Sequence, residues 1–175
     1  MTILVAWASG TGNTAKVGRA VASAFDDAAA YAVADAPRST GFEAAFVGAW
    51  LDKGGFAQEA REYLVELDRL AAAEGKVLPV AVFGTMGGQP QSARAREFLG
   101  RFYGEWKAAM PHLGWLGFRF WQGRVDPALV ERMNALFPMT SERAARIKAA
   151  ESHPDAADLE QARLWALRMR ELARG

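Results

Sequence analysis

Ser9-Gly10-Thr11-Gly12-Asn13-Thr14 sets three hydroxyls, one carboxamide and two glycines in six consecutive positions. The apolar run Ile3-Leu4-Val5-Ala6-Trp7 precedes it, and Ala15 to Val21, with the spacing of a helix, follows. That order is strand, glycine-rich turn and helix start. The first N–H groups of a helix have no acceptor inside it, and the helix dipole favours negative charge at the same end. Ser9, Thr11, Thr14 and Asn13 add side-chain donors, while Gly10 and Gly12 keep bulk out of the turn and admit backbone angles closed to other residues. The result is an anion seat, rich in neutral donors and nearly free of cations, which suits a terminal phosphate monoester.

Two other glycine loops compete with this reading. The kinase-type loop, Gly-x-x-x-x-Gly-Lys-Ser/Thr, is absent because no lysine follows a glycine at that spacing. The dinucleotide fingerprint Gly-x-Gly-x-x-Ala is met by Gly10, Gly12 and Ala15, with Asp35 roughly where an acidic ribose ligand would fall. Against it stands the density of hydroxyls, since a pyrophosphate asks for close backbone approach more than for side-chain donors. A tight turn that binds nothing is the third possibility. Other chemistries find little support. There is no cysteine, and hence no disulfide, iron–sulfur ligation or thiol nucleophile. No Gly-x-Ser-x-Gly elbow is present, and His112 and His153 lie apart without metal-ligand spacing.

The elements that must position the seat follow from the hydrophobic pattern. A helix is expected from about Asn13 to Phe25, with Val17, Ala20, Val21 and Ala24 on one face and Lys16 and Arg19 on the other. Tyr31-Ala32-Val33 reads as a short second strand and Ala44 to Trp50 as a third, ended by Asp52-Lys53-Gly54-Gly55 before a helix from about Ala57 to Ala73. Val77 to Phe83 reads as a fourth strand, with Pro79 at its start or at a bulge. It leads into the loop Gly84-Thr85-Met86-Gly87-Gly88-Gln89-Pro90 and a helix from about Ser92 to Met110. Trp115 to Trp121 is the fifth strand. Three amphipathic pieces close the chain, at Pro127 to Leu136, Ser141 to Ala150 and Asp158 to about Leu172, with Pro127 at a first helical position and Asp155 or Asp158 as a cap.

Strands alternating with helices imply an α/β fold with a parallel sheet covered on both faces. Five strands with one phosphate loop fit the doubly wound order 2-1-3-4-5, in which ligands bind outside the carboxyl ends of the strands where the order reverses. The loops after Trp7, Trp50 and Phe83 therefore meet at one edge. At 175 residues the chain is expected to be a single domain, with a core over about 1–125 and a helical extension over about 126–175.

The hexapeptide Ser9 to Thr14, placed after the first strand, resembles the phosphate loop of the flavodoxins, which hold the 5′-phosphate of FMN in such a neutral donor ring. The resemblance implies a noncovalent FMN protein of low potential that carries electrons between a reductase and an acceptor protein. It implies that Trp50 gives a stacking face, that Leu51, Asp52, Lys53 and Gly54 border the N5 edge of the ring, and that the peptides of Thr85, Met86, Gly87 and Gly88 line its pyrimidine edge. The family often sets an aromatic residue on the ring's other face. None lies between Gly84 and Pro90, which leaves that cover to Met86, Trp115, Phe120 or Trp121. The segments Gly48 to Gly54, Gln122 to Pro127 and His153-Pro154-Asp155 are similar to a subgroup of short bacterial flavodoxins, some of which accompany a tetrapyrrole reductase, and the resemblance implies a partner of that kind.

Composition sets further bounds. Lysine and arginine number 21 against 20 for aspartate and glutamate, so no large field recruits nucleic acid or a membrane surface, and the acidic character common among flavodoxins is missing. The N-terminus has no signal pattern and no apolar run approaches the ~20 residues of a membrane span, so a cytoplasmic location is expected. Two alternatives to the carrier remain: an FMN-dependent NAD(P)H:quinone reductase on the same fold, and a cofactor-free interaction domain. Trp7 and Ala8 stand where a phosphoacceptor receiver would keep acidic residues.

Overall fold

The computed structural model describes residues 2–52 and 55–175. Its strands are β1 (Ile3–Trp7), β2 (Ala28–Ala32), β3 (Ala44–Asp52), β4 (Gly55–Phe56), β5 (Leu78–Met86) and β6 (Leu113–Gln122). Its helices are α1 (Asn13–Ala22), α2 (Gln58–Ala73), α3 (Ala93–Ala109), α4 (Pro127–Leu136), α5 (Ser141–Ala150) and α6 (Ala156–Arg174). Five strands pair in parallel in the order β2-β1-β3-β5-β6, and β4 folds back antiparallel on β3. With that two-residue strand set aside, the order is the expected 2-1-3-4-5.

Alternation along the strands sends side chains to two cores. Leu4, Ala6, Ala45, Val47, Val80 and Val82 face Tyr63, Leu64 and Leu67 of α2 and Leu99 and Trp106 of α3. Ile3, Val5, Phe46, Ala81 and Phe83 face Val17 and Val21 of α1 and Ala162, Trp165 and Ala166 of α6. The last three sit at i, i+3 and i+4, so α6 lays one stripe on the sheet. The boundary drawn near residue 125 is therefore not a boundary of the core: α6 is half of one helical layer. Asp155 caps it in a reciprocal box with Asp158.

Tertiary pairing moves several element ends. The second strand is Ala28–Ala32 rather than 31–33, because β1 takes Ala28 to Ala32 as partners of Ile3 to Trp7, and Val33 then turns into a 3-10 helix that buries it under α2. The fourth long strand runs on to Met86, so Gly84, Thr85 and Met86 are sheet and not loop. Central position is the cause: Gly84 and Thr85 pair with Ala49 and Trp50 on one side and with Phe120 and Trp121 on the other. Pro79 stands second in that strand, and the register breaks next to it, where Leu116 is an extra residue between the pairs Val80–Trp115 and Ala81–Gly117.

Candidate functional site

Built from the backbone, the site begins at Gly12, the residue before α1, whose φ of 92° lies in the left-handed region that glycine adopts at little cost. Ser9 Oγ braces the turn from within, accepting the Gly12 N–H at 3.1 Å and the Ala15 N–H at 3.3 Å. Its hydroxyl oxygen is thus a strut of the loop. Among the described residues no acceptor is bonded to the N–H groups of Thr11, Asn13 and Thr14. Unspent donors at a helix N-terminus keep the character of an anion seat.

Two of the expected donors are otherwise engaged. Thr14 is buried, and its hydroxyl pairs with that of Thr85 at 2.9 Å, tying α1 to β5 beneath the seat. Asn13 Nδ2 donates to the Arg124 carbonyl at 2.8 Å and to Thr11 Oγ1 at 3.3 Å, so its carboxamide joins the turn to the segment after β6. The seat is also less bare of cations than the sequence suggests. A polar cleft of about 420 Å³ adjoins it, where Lys16 and Arg124 accompany Thr11, Asn13 and His153.

Next to the seat opens a cleft of about 510 Å³, within the range of small-molecule sites. Gly10, Thr11, Asn13, Trp50, Leu51, Thr85, Met86 and Gly87 all line it, so the three loops do converge. Trp50 lies over the turn, close enough that a Cβ on Gly10 would meet its Cζ2 at 3.3 Å. Of the remaining expected residues, Gly88 follows the cleft wall with Met86 Cε beside it, and the Asp52 backbone pairs with Gly55. Lys53 and Gly54 lie outside the described residues. Asp35 ends the 3-10 turn beyond β2 and does not line the cleft.

The far wall is not made by the aromatic residues of β6. Phe120 faces the α2/α3 core, where Trp115 packs at its margin, and Trp121 faces the α1/α6 core, where its ring meets Trp165 at 5.9 Å. Instead Leu129, Arg132 and Met133 of α4 close the cleft, with Arg124, Val125 and Asp126 leading into them. The sequence signal was present as the i, i+3, i+4 spacing of 129, 132 and 133 directly after a strand. None of the helix is buried, so burial periodicity alone gives it no partner. The connection is pinned at several points: Gly123 N–H donates to the Met86 carbonyl at 2.8 Å, Gln122 Nε2 to the Gly87 carbonyl at 3.2 Å, and Arg124 N–H to the His153 carbonyl at 2.8 Å. Val125 sits against Gly87, where an added Cβ would come within 2.7 Å of it.

His153, Asp155 and Asp158 place three ligand-type atoms within 4.8 Å of one another. Their bonds are spent on the start of α6: Asp158 Oδ2 takes the Asp155 N–H and His153 Nδ1, and Asp155 Oδ1 takes the Asp158 N–H.

Donor-lined turn, cleft and strand reversal coincide at one edge, which defines the doubly wound, flavodoxin-like class of α/β proteins. The chain belongs to the flavodoxin domain family, which matches residues 4–166. Solved structures agree. An archaeal flavodoxin superposes with a TM-score of 0.60 at 16% identity, covering 100% of both chains. A WrbA-like flavodoxin from Agrobacterium tumefaciens gives 0.58 at 19% identity, covering 99% of this chain and 97% of that one. A flavoprotein from Lactobacillus acidophilus, solved in complex with FMN, gives 0.51 at 13% identity over 75% of this chain and 97% of its own. No curated protein matches by sequence. Among the described residues no helix is long and apolar enough to cross a membrane.

Proposed function

We propose that the cleft holds FMN, with the phosphate on the N–H groups of Thr11, Asn13 and Thr14 and the ring between Trp50 on one side and Met86, Leu129 and Met133 on the other. One observation carries the reading: Thr11 and Asn13, whose backbone N–H groups have no acceptor among the described residues, line an apolar-walled cleft of about 510 Å³. The residues fit the group. A phosphate monoester needs several convergent donors, a flat ring needs apolar faces, and thioethers pack well on aromatic rings. Thr85 to Gly88 offer peptide groups to the polar edge of the ring, and Leu51 borders its other edge. The FMN bound by the Lactobacillus acidophilus flavoprotein on a similar fold supports the same assignment. When bound, FMN supplies electron chemistry in one- and two-electron steps. The chain orients the ring, shields its faces from water and fixes the charge around it.

We infer that the protein carries electrons between a reductase and an acceptor protein, of which a tetrapyrrole reductase is one candidate. An FMN-dependent NAD(P)H:quinone reductase on the same fold is the alternative reading. Titration of the purified protein with FMN, followed by quenching of flavin fluorescence, tests the first step, and saturable 1:1 binding is expected. Absence of binding at saturating flavin removes the proposal. Turnover of NADPH with a quinone by the protein alone favours the enzyme, whereas reduction only with an added reductase favours the carrier.

A further inference from the structure

Helix α4 divides its side chains between two neighbours. Leu129, Arg132 and Met133 line the cleft, while Val130, Glu131 and Asn134 line a groove shared with Ile147 and Glu151 on the α5 side. The helical period makes this an either/or choice: 129, 132 and 133 share one face, and the helix's one carboxylate, Glu131, falls on the other. Of the described residues that line the cleft, the charged ones are Arg124, Asp126 and Arg132. Asp126 Oδ1 is occupied as the cap of α4, accepting the Ala128 N–H at 2.9 Å. Arg124 belongs to the seat end, where its carbonyl holds Asn13 and the residue also borders the polar cleft with Lys16. Arg132 is the charge that α4 brings to the wall made with Leu129 and Met133.

We propose that Arg132 sets the redox balance of the site by favouring the reduced, negatively charged flavin over the oxidised, neutral one. The inference rests on the FMN reading above. In the two-electron reduction the ring takes two electrons from a reductant, a partner protein in the cell or dithionite in the test, and one proton at N5. At neutral pH this leaves one negative charge spread over the pyrimidine half. Charge near N1 and N5 is among the means by which a protein tunes a flavin. A guanidinium stays protonated throughout, so it adds attraction to the reduced state and almost none to the oxidised one. The site is then lifted from the low potential that the family resemblance implies. Arg132 is exposed, so the attraction weakens with salt over the Debye length of about 10 Å at 0.1 M.

The test measures the dissociation constants of oxidised and dithionite-reduced FMN for the wild type, Arg132→Gln and Arg132→Lys, with the midpoint potential from spectroelectrochemistry as a second readout. Arg132→Gln is expected to lose about tenfold in preference for reduced over oxidised flavin, which reads as a fall of about 30 mV in the two-electron potential. Arg132→Lys is expected to retain most of the preference, and the gap between wild type and Arg132→Gln is expected to widen at low ionic strength. Equal loss of both affinities, or a preference that changes less than twofold, overturns the role of Arg132 while leaving FMN binding in place. A wild-type chain that takes up no FMN overturns both readings.

Discussion

Asn13 and Arg124, 111 residues apart, are joined by a 2.8 Å hydrogen bond from the Asn13 carboxamide to the Arg124 carbonyl. It couples the first turn of α1 to the segment that delivers α4 over the cleft. Gly123 stands against the same carboxamide, and a Cβ there would come within 2.8 Å of Nδ2. Asn13→Ala and Gly123→Ala are therefore expected to break one contact by two routes. Each should weaken FMN binding about fivefold, the worth of one ordinary hydrogen bond. The double variant should be little worse than either single one, which flavin titration of all four proteins reads as a double-mutant cycle.

The buried pair Thr14 and Thr85 makes a prediction about stability. Removing one hydroxyl leaves the other buried without this partner, so Thr14→Val and Thr85→Val should each cost about 1–2 kcal/mol. Replacing both removes the orphan as well as the bond. The double variant should then be clearly less destabilised than the sum of the singles, as measured by urea unfolding.

Gly84 is fixed by close approach. An added Cβ would lie 2.1 Å from the Ala49 carbonyl oxygen and 2.1 Å from Phe120 Cε1, and neither the backbone of β3 nor a core ring has room to retreat. Gly84→Ala is expected to lower unfolding free energy by about 3 kcal/mol or to prevent folding. Gly104→Ala, where nothing lies within 4 Å of the added carbon in the middle of α3, is the contrasting control and should stabilise slightly.

Glu43 gives the chain a pH dependence. Hydrogen bonds from Arg174 and then Arg170 hold its carboxyl at about 2, below its ordinary 4.5. Because the folded value is depressed, the stabilisation is complete above about 4.5 and is lost as pH falls toward about 2. These bonds fasten the end of α6 to the chain just before β3, with Arg174 Nε at 2.6 Å and Arg170 Nε at 3.2 Å from Oε1. Glu43→Gln should cost about 2 kcal/mol at neutral pH. Thermal unfolding followed from pH 7 to pH 3 should show a shallower acid decline in the variant than in the wild type.

Much of this was legible in the residues. The run from Ile3 to Thr14 fixes strand, turn and helix by local chemistry alone: apolar side chains that need burial, glycines that permit the turn, and donors that a helix start leaves unspent. The alternation of apolar runs with amphipathic stretches likewise implies a parallel sheet covered on both faces, and five strands fall short of the eight that close a β/α barrel, which leaves the doubly wound sheet. Local pattern does not decide what a polar side chain does once its neighbours arrive. Thr14 and Asn13 read as seat donors, yet a threonine 71 positions away and a carbonyl 111 positions away engage them. Nor does it fix the end of a central strand, since Gly84 and Thr85 became sheet through partners on both sides and Met86 through Gln122 on one. The wall supplied by α4 was decided by tertiary structure alone. Its spacing shows which residues share a face, but only the folded connection at Gly123 and Arg124 determines that this face looks into the cleft.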